Sequence, residues 1–178
     1  MPVLGFRAKT GGAIAVALSD DGEFLLRREV SLVDPKLPAT AEPYHAVMEL
    51  PWAEAEVRVQ PLVAAIENVA TKMLEALIAE LGNVTAVGVV GAPPKNLARI
   101  GNEHIRAHAA EGVLFRRVIE VAAARHGIPC TGVSDKELGT PDAKIKAMGK
   151  KAGPPWRADE RAAATAAWLA LRGTVSVY

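Results

Sequence analysis

The chain has 178 residues, 50% of them hydrophobic but only 4% aromatic, and 21 basic against 20 acidic side chains leave a formal net charge of +1. That length fits one domain, residues 1–178, and the shortage of aromatics leaves Ala, Val and Leu to build its core, favouring helices on a sheet over an aromatic-rich sandwich. The charge excludes a whole-molecule field that gathers polyanions, though not a local basic patch, and the lone Cys130 excludes an intrachain disulfide and a cysteine-based zinc site.

Residues 3–8 and 13–19 read as strands, and Asp20-Asp21-Gly22 as a turn, since Asp-Gly tolerates positive φ. Residues 23–32 follow as a third strand, giving an antiparallel meander. Residues 33–51 carry Pro35, Pro38, Pro43 and Pro51 and predict a long ordered loop or flap; for Tyr44 and His45 a structural loop is the default reading and closure over a ligand the alternative. From 61 to 81 the pattern is helical, with Leu62, Ile66, Val69, Met73, Leu77 and Leu81 on one face. Pro61 suits its first turn and Gly82-Asn83 its end. The continuous apolar run at 84–91 predicts a buried central strand.

Residues 92–102 read as a loop, and a helix then runs through Val113, Phe115, Val118 and Val121 to about His126. Residues 128–133 predict a short strand, with Pro129 marking an edge or a strand start. The lysine-rich stretch 134–151 has helical potential, Gly153-Pro154-Pro155 stops it, and 157–171 predicts an alanine-rich helix with Trp168 and Leu171 on its apolar face. The tail TVSVY is open between strand and frayed end. No run is long and apolar enough to span a bilayer, and Arg7, Lys9, Asp20 and Asp21 interrupt the N-terminal region, so the expectation is a soluble cytoplasmic protein. A meander followed by two parallel crossovers closes one mixed sheet without knots.

Three stretches carry a resemblance: VLGFRAKTGGAIAVAL, AEGVLFRRVIEVAAARHGIPCTGVSDKEL and WRADERAAATAAWLAL. They resemble the opening hairpin, the middle helix with its strand, and the last helix of the RuvC-like, Holliday-junction-resolvase branch of the ribonuclease H-like superfamily. AEG-x-LFR and GPPWR-x-DE are also similar to stretches of a group of uncharacterised bacterial proteins, which adds no activity. The resemblance implies an α/β, ribonuclease H-like fold: a mixed five-stranded sheet, a three-strand antiparallel meander plus two parallel strands, flanked by helices. It implies a nuclease centre in which carboxylates hold two divalent metals about 4 Å apart, and a homodimer matched to a junction's two scissile strands. Two of the implied acids are absent. Arg7 stands at the first-strand position, and residues 88–91 offer no carboxylate. Asp159 and Glu160 remain at the start of the last helix.

Alternation puts Arg7 and Lys9 on one face of the first strand. The two read as an anion site, or Arg7 pairs with Asp159 or Glu160; the Arg7 salt bridge is the favoured reading because buried charges require partners. His104, His108 and Glu111 share a face if their helix is continuous, which would suit metal ligation or acid–base chemistry. The helix is instead expected to begin near Ala109, with Glu111 favouring its N-terminus. Trp156 reads as loop packing before base stacking. Arg116 and Arg117 with Lys144, Lys146, Lys150 and Lys151 form either a phosphate-binding surface or a solvated basic face.

The leading expectation is a module without the usual metal centre that binds nucleic acid, a nucleotide or a protein. Arg7, Lys9, His108, Arg116 and Trp156 are its candidate anion or ligand contacts; no metal ligands are assigned and no cofactor is expected. The alternative is a phosphoryl-transfer enzyme with a relocated site, Asp159, Glu160 and Glu111 as catalytic acids, using Mg²⁺ or Mn²⁺.

Overall fold

The structure, a computed structural model, describes residues 1–175. Strands β1 (Val3–Lys9), β2 (Gly12–Leu18) and β3 (Phe24–Ser31) form the meander. Thr10-Gly11 closes the first hairpin, with Gly11 at φ +77°, where a side chain would be strained. Two 3₁₀ turns, Pro38–Ala41 and His45–Val47, lead to helices α1 (Trp52–Arg58) and α2 (Gln60–Leu81). Strand β4 (Ala86–Val90), helix α3 (Glu103–Arg125) and strand β5 (Cys130–Val133) follow. Short helices α4 (Asp135–Leu138), α5 (Ala143–Ala147) and α6 (Gly149–Ala152) precede the long α7 (Ala158–Val175). The sheet has five strands in the order β3-β2-β1-β4-β5, with β4 parallel to β1 and β5 parallel to β4. No helix among the described residues is long and apolar enough to cross a membrane.

The pleat sorts the side chains of β1 between two cores. Leu4 and Phe6 are buried with Ile66, Leu74 and Phe115 of α2 and α3. Val3 is buried on the other face with Ala163, Ala167 and Ala170 of α7. Gly5 and Gly88 are paired in register on that second face. A Cβ on Gly5 would overlap the Ala163 carbonyl and the Ala167 amide, and one on Gly88 would overlap the Ala166 carbonyl. Small residues on both surfaces therefore let the α7 backbone rest on the sheet, and this seat fixes the position of its first turn.

The seat also revises the expected face of α7. Its buried stripe is Ala163, Ala166, Ala167 and Ala170, with Leu171 beside it, while Trp168 is only half-buried at the flank. On α2 the buried stripe is Val63, Ile66, Ala70, Leu74 and Leu77, and Met73 and Leu81 pack at its margin.

Three other expectations change. The proline-rich segment is more structured than a loop. Thr40, buried, accepts from Asp34 N at 2.9 Å and donates to Leu37 O at 2.6 Å, closing a local turn. The helix α1 was not foreseen, because WAEAEVR buries only Ala55 and shows no stripe. Helix α3 begins at Glu103, well before Ala109, because Asn102 caps it by accepting from Ile105 N at 2.9 Å. Of the tail TVSVY, Thr174 and Val175 complete α7, and residues 176–178 lie outside the described residues. Pro129 meets both expectations: β5 is an edge strand, and the Pro129 carbonyl accepts from Val87 N just before it at 2.9 Å.

Candidate functional site

The parallel strands β1, β4 and β5 end on one side of the sheet, where α/β folds commonly bind ligands. Arg7, Lys9, Gly91, Gly112, Asp135 and Asp159 line an open cleft there of about 320 Å³. Arg7 Nη1 donates to Asp135 Oδ1 in a short charged contact, and its Nε lies 3.4 Å from Asp159 Oδ1. Lys9 Nζ lies 3.0 Å from Asp159 Oδ2. Two cations and two carboxylates thus neutralise one another, at positions that range from 22% to 65% side-chain exposure.

Local chemistry delivers each acid. Ser134 forms a capping box at the end of β5: its Oγ accepts from Glu137 N at 3.3 Å, and its own N–H donates to Glu137 Oε2 at 2.7 Å. These bonds hold the Glu137 carboxyl below its ordinary range and turn Asp135 toward the cleft. Asp159 rides on the first turn of α7. Arg27 of β3 steadies the approach to that turn by donating to Gly153 O at 2.8 Å and Pro155 O at 2.5 Å. Arg157 N then donates to the nearly buried Glu160 at 2.9 Å.

The candidate catalytic acids Asp159, Glu160 and Glu111 do not converge. Asp159 is in the cleft, Glu160 caps its own helix, and Glu111 is fully buried against the proline-rich segment. There Glu111 accepts from Tyr44 N and His45 N, both at 3.1 Å, and from His45 Nδ1 at 2.9 Å. Arg116 is turned inward: its Nε donates to Glu120 at 2.8 Å and its side chain is 11% exposed. Trp156 donates its indole N–H to Ile145 O at 3.0 Å and meets Phe24 edge-on, so it packs the loop. His108 is exposed and is not among the residues that line the cleft. Asp135 was missed by sequence reasoning. Its only local signal was the Ser134-x-x-Glu137 capping box.

A second cluster lies where the proline-rich segment meets α3. The rings of His45, His104 and His108 stand edge to face, with centroids 4.4–5.0 Å apart. The His104 and His108 Nε2 atoms are 3.1 Å apart. His45 Nε2 is buried with no hydrogen-bond partner. Tyr44 stacks on Trp52, whose ring lies under the Arg106 guanidinium of α3 at 5.2 Å, so neighbouring side chains hold the segment in place. Burial pushes the Tyr44 phenol above its ordinary range. Cys130 belongs to neither site, and burial pushes its thiol up to about 12.

The donor set at the strand ends does not fit a two-ion centre. Such a centre needs several carboxylates around ions about 4 Å apart. Here Asp135 and Asp159 both face the Arg7 guanidinium, and Lys9 adds a second cation.

The chain is similar to the structure of T. thermophilus RuvC in complex with a Holliday junction substrate, with a TM-score of 0.53 and 15% identity over 99% of this chain and 96% of that one. A further Thermus thermophilus RuvC structure gives a TM-score of 0.48 and 14% identity over 94% of this chain and 91% of that one. At this identity the first likeness shows the fold: RuvC-like, within the ribonuclease H-like class. No protein-family model matches the sequence, and no curated protein matches it.

Proposed function

We propose that this chain binds nucleic acid through the cleft at the strand ends and does not use the two-metal hydrolysis associated with its fold. The Arg7 guanidinium carries this reading: it occupies the end of the central strand between Asp135 and Asp159, with Lys9 beside it. A guanidinium already oriented by two carboxylates keeps donors directed into the cleft, and a phosphate oxygen can exchange for the exposed Asp135. Lys146, Lys150, Lys151 and Arg157 are exposed in the segment leading into α7 and add basic charge outside the cleft. In that segment α5 packs against α7 and α6 against β3. The fold is shared with a protein whose structure holds a Holliday junction, which supports nucleic acid over a nucleotide or a protein as ligand.

Fluorescence anisotropy with a labelled four-way junction, a duplex and a single strand tests the reading. Binding should weaken steeply with salt, and Arg7→Ala and Lys9→Ala should each reduce the logarithmic salt slope by about one. No cleavage is expected with Mn²⁺. Failure to bind even at about 50 mM salt overturns the reading. So does Mn²⁺-dependent cleavage that Asp159→Ala abolishes.

A further inference from the structure

We propose that His45, His104 and His108 form a binding site for a divalent transition metal of the zinc class, with Glu111 orienting one ligand. One ring nitrogen from each histidine lies within 4.8 Å of the others. In a tetrahedral site with zinc–nitrogen bonds of about 2.0–2.1 Å, ligand nitrogens are about 3.3 Å apart. The His104–His108 pair is already at 3.1 Å, and a ring nitrogen of His45 lies within 4.8 Å of both.

The contacts of His45 favour a ligand. Its Nδ1 lies 2.9 Å from both oxygens of Glu111, so Nε2 is the ring nitrogen left to coordinate. That atom is buried and without a partner, a costly arrangement that a metal ion removes. A carboxylate behind a ligating imidazole is the usual means of fixing its tautomer and raising its basicity. Glu111 is itself fixed by the Tyr44 and His45 amides, so the orienting group is rigid.

The backbone arrangement points the same way. His104 and His108, four residues apart on α3, share a helix face as two-histidine metal pairs do. The third ligand comes from a different element, so an ion would fasten the proline-rich segment to α3. Three imidazoles suit Zn²⁺, Co²⁺ or Ni²⁺ and disfavour Mg²⁺ and Ca²⁺, which require oxygen. His104 and His108 are exposed, so a fourth coordination position faces solvent.

Zn²⁺ titration of the full chain against a chromophoric chelator of micromolar affinity, together with the visible spectrum of the Co²⁺ form, tests the site. One ion per chain is expected, with the intense visible bands of four-coordinate Co²⁺. His104→Ala and His108→Ala, both at exposed positions, should keep the wild-type circular dichroism and lower affinity by at least about 100-fold. Glu111→Gln, which can still accept the loop amides, should lower it by about 10–100-fold. His126→Ala and Cys130→Ser should leave affinity unchanged. The proposal is overturned if the protein takes up no Zn²⁺ from the chelator. It is equally overturned if uptake survives the His104→Ala/His108→Ala double variant.

Discussion

The two clusters are opposites in charge logic. At the strand ends, Arg7 and Lys9 pair with Asp135 and Asp159, so cations and carboxylates balance. Where the proline-rich segment meets the N-terminal half of α3, three imidazoles converge, and a buried nitrogen is left unpaired. The two clusters therefore offer different donors to a ligand: charged groups already paired in one, ring nitrogens in the other.

The largest expected effect is on stability and lies within the histidine cluster. Glu111→Ala strands the Tyr44 and His45 amides and should cost about 3–5 kcal/mol in urea unfolding. His104→Ala should stay within about 0.5 kcal/mol of wild type. Equal losses would erase the distinction between a buried clamp and its exposed neighbours. Next, Gly88→Ala pushes a methyl group into the Ala166 carbonyl and should cost about 1–3 kcal/mol or more, and the lifted α7 should carry Asp159 away from Arg7. A nucleic-acid affinity that survives this change would show that the cleft does not depend on its helix seat. A smaller effect is expected from Arg7→Ala: its partly exposed ion pairs are screened, so stability should fall by about 1 kcal/mol or less, whereas the salt dependence of binding should change clearly. The smallest effect is chemical. With its thiol pushed up to about 12, folded Cys130 at neutral pH should react with iodoacetamide far more slowly than a free cysteine, and guanidinium unfolding should restore the ordinary rate.

Local pattern carried much of this. The meander, the central apolar strand and the placement of Arg7 and Lys9 on one face follow from alternation and turn chemistry within short windows. The pairing of Arg7 with Asp159 was legible as one of two alternatives, because Asp159 and Glu160 differ by one residue on a helix whose rotation depends on Gly5 and Gly88. Asp135, 128 residues from Arg7, was not legible. Its position depends on the register of β5, which no local pattern encodes. The histidines were legible only in halves: the His104–His108 spacing on one side, His45 in a proline-rich loop on the other. What joins them is Glu111, which read as a helix N-terminal acid and is in fact the acceptor that pulls the loop inward. Arg116 read as a surface cation for the same reason: spacing does not reveal that Glu120 turns it inward.

The seat of α7 on Gly5 and Gly88 has a consequence for biosynthesis. The strand at the centre of the sheet is made well before the helix that covers one of its faces. Until residues 158–175 have emerged, Val3, Val16 and Leu18 lack the Ala163, Ala164, Ala167 and Ala170 partners they bury against on that face. Contacts of such long sequence separation form late and slowly. A nascent chain lacking α7 should accordingly recruit chaperones or self-associate, and release from that state should coincide with emergence of the alanine stripe.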